Sequence, residues 1–245
     1  MRQKIAVFDI DGTLFRGQLD HAVMLELENM GAIRGFKQAL HEPYTDWKNR
    51  EHLEAFKKYE SIFDEATARH LKTVSLTTYN QAVQNVINQV GRHVYAYTRH
   101  TVAKLKAQGY AIVAISGSLQ EVVGPFARAH GFDTWQGQTL GVEDDYFVNT
   151  YGSFLPGQKA AYLHELIEKH GYTIKGSIGM GDTLGDAGLL EAVENPIAFN
   201  PNQQLMRHAM QKNWKIVIER KNVVYELTAR DGNYGLEQPL LLNTQ

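Results

Sequence analysis

The chain has 245 residues, 43% of them hydrophobic, with 25 Lys+Arg against 27 Asp+Glu and a formal net charge of −2. This suits one large domain or a core carrying an inserted module, and argues against a disordered chain. Near-neutral charge speaks against binding nucleic acid through a broad basic field, and the absence of Cys excludes disulfides, thiol nucleophiles and cysteine-ligated metals.

The N-terminus leads into only four apolar residues, Ile5-Ala6-Val7-Phe8, before Asp9, too few for a signal-peptide core. No run approaches the roughly 18 apolar residues of a membrane span. The expectation is a soluble, cytoplasmic protein. The first run predicts a strand. From residue 17 to 90 the spacing is helical throughout, over 19–30, 34–40, 47–71 and 77–90. Its clearest stripe is Leu53, Phe56, Tyr59, Ile62 and Phe63.

A helix over 98–108, closed by Gly109, precedes a strand over 110–115 that runs into Ser116-Gly117-Ser118. Helices follow over 119–130 and 157–170, each closed by Gly, which suits a helix C-terminus. Between them, 138–150 alternates weakly around Glu143-Asp144-Asp145, as a β-hairpin would. Strand 173–178 runs into Gly179-Met180-Gly181-Asp182, followed by a helix over 183–193, a strand over 196–199, a helix over 202–212 and a strand over 214–218. Lys215, Arg220 and Lys221 suggest a solvated edge at that last strand.

Continuous apolar runs suit strands buried on both faces of a parallel sheet. The fold class is therefore α/β, a doubly wound parallel Rossmann-like sheet with an inserted all-helical cap. The core comprises 1–16 and 91–228, the cap 17–90, and residues 229–245 read as a tail without period. Chemistry in such sheets gathers beyond the carboxyl ends of the strands, where the polar clusters fall.

Asp9 and Asp11, two apart on an extended chain, point the same way, and Gly12 permits a sharp turn after them. Such a pair can hold a hard cation or divide nucleophilic from acid–base work; an incidental Asp-Gly turn is the plainer alternative. Ser116 offers either a phosphate seat or a simple helix N-cap. Asp182 and Asp186 share a helical face. The glycines at 179, 181 and 185 are not a dinucleotide turn, because Leu184 stands where the third Gly is needed. Lys159 opens a helix against its dipole, although most helix lysines are merely solvated. None of the ten His shows zinc spacing.

Asp9-Ile10-Asp11-Gly12-Thr13-Leu14, then Ser116-Gly117-Ser118, Lys159, and Gly181-Asp182 followed by Asp186, resembles the haloacid dehalogenase superfamily of phosphotransferases. The resemblance runs from Asp9 to about Glu219. A helical cap between the first two motifs is similar to the branch containing phosphoserine phosphatases, as is the cadence through Asn149, Pro156 and Asn195-Pro196.

The resemblance implies that Asp9 forms an aspartyl-phosphate while Asp11 protonates the leaving oxygen and then activates water. It implies Mg²⁺ held by Asp9, the Asp11 backbone carbonyl and Asp182. Ser116 and Lys159 would bind the phosphoryl oxygens, helped by backbone N–H groups at Gly12 and Gly117. Asp186 would orient Lys159 and the metal's water.

The expected substrate is a small phosphorylated metabolite, with no nucleic acid, membrane or obligate protein partner. Transfer to another alcohol, or a catalytically silent binding protein, are the alternatives. Two departures weaken phosphoserine itself. Gln18 stands where those enzymes place a substrate-touching Glu, and Gly185 where they place Asn. In the cap, Arg16, Arg34, Trp47, Lys48, Arg50 and Arg69 stand as unranked candidates for the substrate face.

Overall fold

The computed structural model describes residues 2–52, 54–148, 158–230, 233–237 and 239–241. Leu53, Asn149, Pro156 and Gly157, used in the sequence reading, lie outside these. Strand β1 (Lys4–Phe8) is central. It pairs in parallel with β2 (Ala111–Leu119) on one side and β6 (Thr173–Gly181) on the other. Beyond β2 lies β3 (Thr134–Gln138); beyond β6 lie β7 (Asn195–Phe199) and β8 (Lys215–Arg220), all parallel.

The β1 side chains show why the run is continuously apolar. Ile5 and Val7 enter a core on one face of the sheet, and Ala6 and Phe8 enter a core on the other. All four are fully buried. Register matters more for function: Phe8 is level with Ala114 on β2 and with Met180 on β6. The residues just past these three positions must therefore emerge side by side at one sheet edge.

Four helices follow β1: α1 (Leu19–Asn29), α2 (Phe36–Asn49), α3 (Ala55–Leu71) and α4 (Leu76–Val90). They form the inserted helical cap. Its helices share the Phe8-side core through Leu19, Val23, Tyr59, Tyr79 and Val86. The expected break between 40 and 47 is absent. The break falls instead at Arg50, whose left-handed backbone (φ 57°) ends α2.

Helices α5 (Ala96–Ala107), α6 (Gln120–Ala129) and α7 (Gln158–His170) follow, with a 3₁₀ turn (Leu184–Asp186) leading into α8 (Ala187–Glu191), then α9 (Gln203–Lys212). The expected hairpin is β4 (Val142–Glu143) with β5 (Tyr146–Phe147). Its turn residue Asp145 accepts from Leu76 through its backbone carbonyl, tying the hairpin to the start of α4.

The end of the chain corrects the expectation. Strand β9 (Val223–Arg230) pairs antiparallel with β8, and β10 (Asn233–Leu236) and β11 (Leu240–Leu241) pair antiparallel with β9. The sheet is thus mixed, and the described part of 229–245 is hydrogen-bonded structure rather than a periodless tail. Nor is β8 an edge: Lys215 bonds across to Glu226 on β9 at 2.7 Å. Among the described residues, no helix is long and apolar enough to cross a membrane.

Candidate active site

The loops after β1 and β6 meet the last residues of β2, Ser116–Leu119, at the edge that the register defines, and Lys159 reaches them from the first turn of α7. Its Nζ donates to Asp9 Oδ1 at 2.6 Å and to Asp186 Oδ1 at 2.5 Å. Asp9 and Asp186 are both buried. The Lys in the first turn is thus held by two carboxylates rather than by the helix. Burial alone would lower its pKa; Asp186 and Asp9 outweigh that and raise it, so it stays an ammonium.

Asp186 is shared. Its other oxygen accepts from the backbone N–H of Asp182 (3.1 Å) and Thr183 (3.0 Å), which closes the 3₁₀ turn. This fixes Asp182 against the β1 loop. Gly12 makes that approach possible: it has φ +81°, and a Cβ there would fall 2.0 Å from Asp182 Oδ2. Gly181 is equally constrained, since a Cβ would lie 2.5 Å from that of Asp186.

One carboxylate oxygen from each of Asp9, Asp182 and Asp186 lies within 4.8 Å of the others. Burial, with the repulsion of Asp186, pushes the Asp9 carboxyl up to about 8 despite Lys159. Burial and the charges of Asp9 and Asp186 likewise raise Asp182. Two buried carboxylates, Asp9 and Asp186, and the half-buried Asp182 face one ammonium, so acidic groups outnumber the cation, and all the unspent donors are oxygens. A hard divalent cation fits this set. Asp186 brings both oxygens already engaged by N–H donors, so Asp9 and Asp182 are the better-placed side-chain ligands.

Asp11 stands apart from the cluster. Its Oδ1 accepts from the Leu19 backbone N–H at 2.7 Å, and its Oδ2 from Ser116 Oγ (2.8 Å) and Ser118 Oγ (2.7 Å). Burial raises its pKa; these three donors oppose the rise without cancelling it. A carboxyl so placed is held above its ordinary range, the direction that suits a group that gives up and takes back a proton. Ser116 is fully buried, and its hydroxyl proton is aimed at Asp11 rather than at an open phosphate seat. Gly117 has open space where a side chain would project.

The sequence reading did not single out Ser118, the Leu19 N–H or Asp20. Asp20 is buried in α1 and accepts from the Leu119 N–H (3.1 Å) and the Tyr79 hydroxyl (3.3 Å), linking cap to core. Ser118 could have been found from its i, i+2 relation to Ser116; the Asp20 link has no local signal.

A family model described as haloacid dehalogenase-like hydrolase matches residues 6–191. The chain belongs to the haloacid dehalogenase-like hydrolase family. That match spans every acid and the lysine just described. Among curated relatives, a protein of Mycobacterium tuberculosis named as a probable phosphatase is 27% identical over 139 residues, covering 56% of this chain and 47% of that protein. The chain spans about half the length of that relative. A histidinol-phosphatase of Neisseria meningitidis is 25% identical over 225 residues, 88% of this chain and 98% of that protein. A solved structure of a phospho-aspartyl intermediate analogue of phosphoserine phosphatase superposes with TM-score 0.61 at 17% identity, covering 90% of this chain and 95% of that one. The capped haloacid dehalogenase fold is common to both structures.

Proposed function

We propose that this chain is a Mg²⁺-dependent phosphomonoesterase that works through a covalent aspartyl-phosphate on Asp9. The observation that carries the reading is the separation by environment of two carboxylates, the buried Asp9 and the half-buried Asp11. Asp9 is bonded to an ammonium and adjoins the cation cluster, whereas Asp11 is held by three hydrogen-bond donors and has no direct bond to a cationic side chain among the described residues. Two acids whose surroundings differ in this way suit two roles, nucleophile and proton carrier.

A phosphomonoester is an anion, so a carboxylate can attack it only where charge is neutralised. Lys159 supplies one positive charge beside Asp9. Bound Mg²⁺, held by Asp9, Asp182 and the Asp11 carbonyl, would supply the remainder and polarise the phosphoryl group. Asp9 then forms the P–O bond as the ester oxygen leaves with the proton of Asp11. In the second half, Asp11 takes a proton from water, which attacks phosphorus and frees Asp9. Ser116 and Ser118 keep Asp11 pointed at the leaving oxygen. Ser116 could reach a phosphoryl oxygen only by giving up its bond to Asp11, and backbone N–H groups at Gly12 and Gly117 are the other proposed contacts.

The substrate is proposed to be a small phosphorylated metabolite, because the helical cap over the strand ends encloses limited space. Histidinol phosphate and phosphoserine, the substrates in the relatives' names, belong in the first panel. A cytoplasmic protein acting without nucleic-acid, membrane or obligate protein partners is part of the same proposal, as is division into core (1–16, 91–228) and cap (17–90). Phosphate release from p-nitrophenyl phosphate and a panel of phosphorylated amino acids, amino alcohols, sugars and nucleotides tests the reading. Mg²⁺-dependent release supports it; no release from any compound would refute it.

A further inference from the structure

At its functional end β2 breaks register with its neighbour. Ile115 is level with Gln136 on β3 and Leu119 with Gln138, so Ser116, Gly117 and Ser118 stand against Gly137 alone. Residues in excess on one strand bulge out of the ladder, and a bulge re-aims the side chains it carries. Here it turns the Ser116 and Ser118 hydroxyls onto Asp11 Oδ2, at 2.8 and 2.7 Å. The ladder leaves the far end of the bulge to be fixed from elsewhere.

Asp20 fixes it from the cap. This residue of α1 is 3% exposed, and both its carboxylate oxygens accept from the Leu119 N–H, at 3.1 and 3.2 Å. The Tyr79 hydroxyl of α4 donates to Asp20 Oδ1 at 3.3 Å. Burial, with the charges of Asp20 and Glu121, holds that phenol well above its ordinary pKa, so it stays a donor. Asp20 follows Leu19, whose own N–H grips Asp11 Oδ1 at 2.7 Å, and Leu119 follows Ser118. The bonds therefore close a circuit. It runs from Asp11 to the Leu19 N–H, along the chain to Asp20, across to the Leu119 N–H, and back through Ser118 to Asp11.

We propose that Asp20 is a positioning residue for proton transfer: by holding the Leu119 N–H it sets Ser118 Oγ, and through it the Asp11 carboxyl, against the leaving oxygen. The inference rests on the phosphomonoesterase reading, in which Asp11 is the acid. Without the carboxylate, the Leu119 N–H loses its acceptor and the bulge shifts to find another. A displacement of about 1 Å at a reacting group costs about 10²-fold in rate. Because Asp20 stands on α1 and Leu119 on β2, the acid is aligned only while that cap helix is docked on the core.

The test is kcat/KM of the full chain with Mg²⁺ on benzyl phosphate and p-nitrophenyl phosphate, esters of similar size. Both give the same phosphoryl-enzyme, and kcat/KM is blind to its later hydrolysis. Benzyl alkoxide must be protonated as it leaves, whereas p-nitrophenolate needs little help. Asp20→Ala should lower the benzyl-to-nitrophenyl ratio about 10–100-fold. Asp20→Asn, whose Oδ1 can still accept from Leu119, should stay within about threefold of wild type. Ser118→Ala should lower the ratio as well, and adding Asp20→Ala to it should lower it by less than about threefold more. Ratios cancel any loss of folded protein. Should Asp20→Ala give no soluble protein, Tyr79→Phe takes its place, with an expected loss of about 2–5-fold in the ratio. An unchanged ratio in the single variant, or a full further loss on the Ser118→Ala background, overturns the inference. Turnover by the wild type would then leave the phosphatase reading standing. A wild type inert toward both esters removes both.

Discussion

Lys159 Nζ lies 2.6 Å from Asp9 Oδ1 across 150 residues of chain, buried on both sides. The ion pair is what makes the position of Asp9 tolerable, because three carboxylates crowd the same pocket. Removing one partner of a buried pair leaves an uncompensated charge, which costs about 3–5 kcal/mol. Lys159→Met should lose that much stability in metal-free buffer, measured by urea unfolding. Added Mg²⁺ should restore part of it, since the ion binds only the folded cluster. Unchanged metal-free stability would contradict the electrostatic account.

Asp11→Asn keeps the shape but cannot carry the proton. Turnover should fall by about 10²–10⁴-fold on alkyl phosphates. The loss should be smaller on p-nitrophenyl phosphate, whose leaving group needs little protonation. Equal losses on both substrates would remove Asp11 from the acid's role.

Gly12→Ala combines φ +81° with a Cβ set 2.0 Å from Asp182 Oδ2. Asp182 must move, so the variant should lose Mg²⁺ affinity at least tenfold, an expected order of magnitude corresponding to about 1.4 kcal/mol. Calorimetry with Mg²⁺ reads this directly. Far-ultraviolet circular dichroism should stay native. Wild-type affinity would place the ion elsewhere.

His21 sits in the cap with its pKa lowered to about 4 from an ordinary 6.5. A depressed histidine pKa means the folded state favours the neutral ring. Its contribution is present above pH 6.5 and is lost as pH falls toward 4, about 3 kcal/mol in all. Glu60, raised to about 7 by burial and Asp64, acts in the opposite sense, losing stability as pH rises. Comparing wild type with His21→Gln cancels Glu60 and other shared groups. The wild type should lose stability more steeply between pH 6.5 and 4; parallel slopes would contradict the buried neutral ring.

Much of this was legible in the residues. A strand buried on both faces has no choice but a continuous apolar run, so β1 announced itself, and the acids past its end marked the functional edge. The stripe through Tyr59 and Phe63 revealed the cap, and both are buried there. What escaped was non-local or mixed in pattern. Strand β9 mixes Val224, buried, with Tyr225, exposed, and half-buried residues on both faces, too irregular to read as a strand. Strand β3, Thr-Trp-Gln-Gly-Gln, has almost no apolar signal and is carried by its pairing with β2. Lys159 looked like one more helix lysine; only the family resemblance tied it to Asp9, and only the fold supplies the distance.

The central claim is that Asp9 carries the phosphoryl group. Rapid quenching during turnover, borohydride reduction and peptide sequencing by mass spectrometry test it most directly, since reduction of an aspartyl-phosphate leaves homoserine in its place. The account predicts homoserine at position 9 of the wild-type chain, dependent on both substrate and Mg²⁺. Steady turnover with no reduced residue, or with the reduction at Asp11, Asp182 or Asp186, would contradict it.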